Sequence, residues 1–85
     1  MKIHCDTVEY YVKDAADELK KILRCCKNMT LQEGVLLPMM EHAIEMLNCA
    51  FNSRFLSREK ISKMSQDEWE KYLTPPKEIF RMKEE

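Results

Sequence analysis

The sequence predicts an all-α protein: an antiparallel hairpin of two long helices followed by a short helical arm. Three observations predict it. Turn-forming residues are scarce, with one Gly and three Pro in 85 residues, so long helices suit this chain better than many short strands. Apolar residues in the first two long segments recur at alternating spacings of four and three, the period of a helix face. Capping boxes, in which a Ser, Thr or Asp is followed three residues on by Glu, open three segments, at Asp6/Glu9, Thr30/Glu33 and Ser65/Glu68.

The first helix is expected over about residues 7–27, capped by Asp6. Val8, Val12, Ala15, Leu19, Ile22 and Cys26 form a heptad seam, flanked by Tyr11, Ala16 and Leu23. The opposite face carries Lys13, Asp14, Asp17, Lys20, Lys21 and Arg24, a solvated surface. Asn28 tolerates the left-handed conformation that closes helices and is the expected stop.

A second helix is expected over about residues 31–54, after a link too short for anything but an antiparallel return. Pro38 removes one hydrogen bond, and its ring strikes the carbonyl four residues back. That residue is Gly34, the sole glycine, so one helix kinked near Pro38 is expected, with a fresh helix starting at Pro38 as the alternative. The arm, about residues 57–83, holds one or two short helices, with Ser57 and Ser65 as caps and Pro75-Pro76 as a stop. Pro76 then opens a last turn anchored by Ile79 and Phe80. The whole reads as one helical domain.

The middle helix organises the rest. No Lys or Arg falls between Lys27 and Arg54, although the chain has 14 of them. Met40, Ile44, Leu47 and Phe51 make one apolar stripe there, and Met39, Ala43, Met46, Ala50 and Phe55 make a second beside it. The first helix offers one seam and can cover one stripe. Each large side chain left bare forgoes roughly 1.5–3 kcal/mol of burial, so the arm or a second copy of the chain must cover the other. The expected outcome is a homodimeric helical bundle that self-associates through Met39, Ala43, Met46 and Ala50. In the arm, Trp69, Tyr72 and Phe80 are the candidate partner anchors, because aromatics dominate interface energetics.

Chemistry is harder to find. One glycine leaves no room for a phosphate-cradling loop, and no nucleophile elbow or His-Glu-x-x-His pattern occurs, so the chain is not expected to be an enzyme. His42 has only Glu45 as a partner by spacing, a common surface pair. The four cysteines lack a C-x-x-C pair; His4, Cys5 and Cys49 can meet at one end of the hairpin, but no metal or cofactor is expected. Met1–Asp6 contains no signal-like apolar run, and no stretch is long and apolar enough for a membrane span. A cytoplasmic location with reduced thiols follows as the expectation. The formal net charge of -1 gives no global pull on nucleic acid. The function expected is therefore a non-enzymatic protein–protein interaction module, an adaptor, inhibitor or regulatory subunit. The alternative is a nucleic-acid-binding regulator using the basic run Arg54, Arg58, Lys60 and Lys63.

Overall fold

The structure, a computed structural model, describes residues 1–76. Two long helices dominate it: α1, Cys5–Lys27, and α2, Glu33–Asn52. Two short helices follow, α3 over Arg58–Ser62 and α4 over Gln66–Glu70, and α4 continues into a single 3-10 turn, Lys71–Leu73. Among the described residues there is no strand. None of their helices is long and apolar enough to cross a membrane. The turn expected around Ile79 and Phe80 lies outside the described residues.

Backbone closures and one tertiary anchor, rather than side-chain caps, mark the ends of the long helices. α1 starts at Cys5 with His4 as its N-cap and no capping side chain, so Asp6 sits in the first turn instead of closing it. There its carboxylate still faces the positive end of the helix. The start is pinned from outside: the His4 N–H donates to Arg54 O at 2.8 Å, and Thr7 Oγ1 donates to Leu56 O at 2.8 Å. At the other end Asn28 keeps a right-handed φ of -86°, and the left-handed residue is Met29, with φ 56°. The Thr30 and Met29 N–H groups reach back to the carbonyls of Cys25 and Cys26, a Schellman closure. Thr30 is thereby used up on α1, its hydroxyl also donating to Cys25 O, and α2 begins three residues later behind Gln32 with no side-chain cap. Ser57 and Ser65 do cap, each accepting at 3.2 Å, from the N–H groups of Lys60 and Glu68.

α2 runs unbroken through Pro38; no fresh helix starts there. The Gly34 carbonyl, which loses its partner to the proline ring, lies in an exposed first turn where water can serve it.

The core is small. Tyr11 and Ala15 of α1 cluster with Met46, Cys49 and Ala50 of α2, with Val8, Ile61, Trp69, Tyr72 and Leu73 packed around them, and Ala43 of α2 is buried as well. The packed line on α1 is Thr7, Tyr11 and Ala15, continued by half-buried Ile22 and Cys25. It is rotated from the expected seam: Val8, Ala15 and Ile22 stay near it, whereas Val12, Leu19 and Cys26 are exposed. Thr7 explains the rotation. Its hydroxyl is buried and bound to Leu56 O, and a residue fixed there puts positions 11 and 15 on the same face. The arm is tied to α2 by amides: Asn48 Nδ2 donates to Leu73 O at 2.8 Å, and Asn52 Nδ2 donates to the carbonyls of Tyr72 and Thr74 at 3.0 and 2.8 Å. Those carbonyls sit at the end of a helical run, where no following turn supplies a donor.

Candidate functional site

The two apolar stripes of α2 have opposite fates. Ala43, Met46 and Ala50 are buried, Met46 at 6% exposure, and Met39 is half-buried, so the stripe expected to stay open is the one α1 and the arm cover. Side-chain size is the reason. Ala15, Ala43 and Ala50 let the two backbones approach closely, whereas Ile44, Leu47 and Phe51 at the contact would hold them apart. The stripe left open is therefore Leu37, Met40, Ile44, Leu47 and Phe51.

α1 adds to it. Val12, Leu19 and Leu23 lie on the far side of the Tyr11–Ala15 line from Tyr10 and Asp14, and Tyr10 and Asp14 face the arm and its cleft. On α2 the open stripe turns away from Asn52, and Asn48, four residues on from Ile44, marks the edge where the arm meets it. One side of the helix pair thus carries the arm, and the other presents eight large apolar side chains, each 37% to 65% exposed. Its borders are charged. Lys20 and Lys27 flank the α1 stripe, and Glu33 and Glu41 flank the α2 stripe.

The arm side holds a cleft. A cavity of about 410 Å³ lies between α1, α2, α3 and α4. Tyr10, Tyr11 and Trp69 wall it, and Met46 and Ile61 are its apolar floor. The Trp69 indole N–H donates to Tyr11 Oη at 3.2 Å, and the Tyr10 and Tyr11 rings meet edge to face with centroids 5.2 Å apart. The Arg58 guanidinium lies 4.0 Å over the Tyr10 ring. Burial raises the Tyr11 phenol above its ordinary value, the Trp69 hydrogen bond opposing. His42 Nε2 sits 3.2 Å from Asp14 Oδ1, so its partner is a carboxylate of α1 and not Glu45. No spacing rule finds this cleft, because its lining comes from four separate elements. A usable signal existed, however: in a helix pair turning near Met29, Asp14 and His42 fall at the same height.

Of the arm anchors, Trp69 and Tyr72 are half-buried against the core, and Phe80 lies outside the described residues. The basic run does not gather into one patch. Arg54 stacks over Phe51 and Phe55, at 3.9 and 4.4 Å, and donates to Phe51 O. Arg58 stacks on Tyr10, Lys63 pairs with Glu59 at 3.2 Å, and Lys60 is exposed. Among the described residues no group of three His, Cys, Asp or Glu side chains is placed to hold a metal, so His4, Cys5 and Cys49 do not form a ligand set. Cys49 is buried and its thiol is pushed up to about 11, by burial first and then by the Glu45 carboxylate, which leaves it an unreactive neutral thiol.

No family model matches the chain, and no curated protein and no solved structure matches it either.

Proposed function

We propose that this protein is a non-enzymatic protein–protein interaction module whose two long helices form an antiparallel hairpin that docks, by its open apolar side, on a second copy of itself. The observation that carries the reading is the apolar face that the arm leaves uncovered. Its eight side chains, from Val12 to Phe51, expose on the order of 700 Å², close to the ~800 Å² per partner of a stable interface. Left in water, a face of that size is an association site.

Charge favours self-pairing over a generic apolar partner. α2 carries Glu33, Glu41 and Glu45 and no cation, whereas the last third of α1 carries Lys20, Lys21, Arg24 and Lys27 and no carboxylate after Glu18. A two-fold axis parallel to the helices lays α1 of one copy on α2 of the other. Lys20 and Lys27 then border Glu41 and Glu33 of the second copy, and the bundle is complementary to itself.

Sedimentation tests this directly. The wild-type chain should run at twice its 10.2 kDa mass at micromolar concentration, and Ile44→Glu with Leu47→Glu should give a folded monomer. A wild-type monomer at 100-fold higher concentration would sink the reading.

A further inference from the structure

We propose that the cleft between the helix pair and the α3–α4 arm is a binding site for a monocarboxylate with an apolar, ring-sized body, supplied either by a small free acid or by the C-terminal residue of a peptide. The site lies on the arm side of the molecule, away from the open apolar face, so it does not depend on the pairing proposed above.

Shape comes first. The cavity of about 410 Å³ falls in the range of small-ligand pockets, and Tyr10, Tyr11 and Trp69 line it together with Met46 and Ile61. Those walls are fixed before any ligand arrives: the Trp69–Tyr11 hydrogen bond ties α4 to α1, and the edge-to-face contact orients Tyr10 against Tyr11. A ring stacked there replaces water with apolar contact at little ordering cost.

Charge then selects the head group. Three chargeable side chains line the cleft: Asp14, His42 and Arg58. Asp14 and His42 are already engaged with each other. Arg58 is not: among the described residues it makes no ion pair and no side-chain hydrogen bond, although Glu59 lies next to it in the chain and binds Lys63 instead. The Arg58 guanidinium carbon sits 4.0 Å over the Tyr10 ring, and a guanidinium held there still offers the N–H fork that accepts a carboxylate in two parallel bonds. An aromatic-lined cleft with a guanidinium that has no ion pair among the described residues is the complement of an apolar body ending in a carboxylate.

Trp69 is the sole tryptophan and lines the cleft, so the full chain reports on its own binding. Phenylacetate should change Trp69 emission saturably with a Kd of about 1 mM, as fits a ligand of that size, and backbone amide shifts should map to α1, α3 and α4. Phenylacetamide, with the same body and no charge, should bind at least about tenfold more weakly, as should acetate, which has the charge and no body. Arg58→Gln, on an exposed helix, should cost phenylacetate the same tenfold with helicity unchanged, and Arg58→Lys should recover part of it. A short peptide ending in Phe, compared with its C-terminal amide, separates the two sources: tighter binding than phenylacetate assigns a peptide terminus, weaker binding a free acid. The proposal is overturned if neither phenylacetate nor the peptide gives a saturable response in either readout below about 20 mM. Equal affinity for phenylacetate and phenylacetamide, or an unchanged affinity in Arg58→Gln, overturns it as well.

Discussion

Cys49 couples this fold to alkaline pH. It is 1% exposed, and burial with the nearby Glu45 carboxylate moves its thiol from 9.0 to about 11. The folded chain therefore keeps a proton that the unfolded chain gives up earlier. The stability it contributes is complete below about pH 9 and is lost as pH rises to about 11, up to about 2–3 kcal/mol in all. Tyr11, also raised by burial, adds a loss in the same direction at higher pH. Urea midpoints measured at several pH values between 8 and 11 should fall steeply for the wild type and less steeply for Cys49→Ala. Equal slopes would show that the buried thiol is not the cause. Met29 is a different kind of residue, a non-glycine held at φ 56° with its side chain 92% exposed. It packs on nothing that its removal would leave bare. Met29→Gly should therefore raise stability by about 0.5–1 kcal/mol, relief of left-handed strain outweighing the extra freedom of the unfolded chain, and Met29→Ala should give no such gain. Denaturation curves of the two variants against wild type settle it.

Among the elements, the end of the arm is latched to α2 by two asparagine amides. Asn48 is buried with its one partner, the Leu73 carbonyl, so Asn48→Ala leaves that acceptor without a donor. A loss of about 1–3 kcal/mol is expected, with amide exchange rising in residues 66–73 before it rises in the middle of α1. Uniformly faster exchange along the chain would mean the arm and the helix pair melt together. The same element shows what a sequence reader can and cannot see. Helix existence was legible everywhere it was strongly periodic, and the Ser57 and Ser65 caps were legible because those short helices end in local hydrogen bonds. The cap at Asp6 failed because a long-range partner, Arg54 O for the His4 N–H, fixes the start of α1, and the cap at Thr30 failed because the closure of α1 takes that residue first, through Cys25 O. The surplus of apolar surface on α2 was visible in its two stripes, but the choice between them was not. Periodicity counts apolar residues, and the contact went to the stripe with two alanines because size decides how closely helices approach. The Asn48 and Asn52 latches and the arm-side cleft join residues about 20 to 60 positions apart, which no local pattern encodes.

At the scale of the whole molecule, a radius of gyration of 14.8 Å exceeds the roughly 12 Å of a compact chain of this length, and among the described residues only six hydrophobic side chains are buried. A two-helix layer with one side covered encloses little more, and the pairing proposed above would cover the open face. The borders of that face allow a test of geometry as well as of stoichiometry. With α1 laid on α2 of a second copy, Lys20 borders Glu41 and Lys27 borders Glu33, each contact occurring twice by symmetry. Surface ion pairs contribute little singly, roughly 0.2–1 kcal/mol, but Glu33→Lys with Glu41→Lys replaces four attractions by four repulsions and should weaken the dimer by about tenfold or more at low salt. Adding Lys20→Glu and Lys27→Glu to the same chain should restore it, because the swapped signs again match across the two-fold axis. If instead the two lysine changes at the α2 border leave the dissociation constant untouched, or the fourfold variant stays weak, α1 does not lie on α2 of the second copy. The helices of the bundle would then have to cross like on like, with the open face still buried and its charged borders facing water.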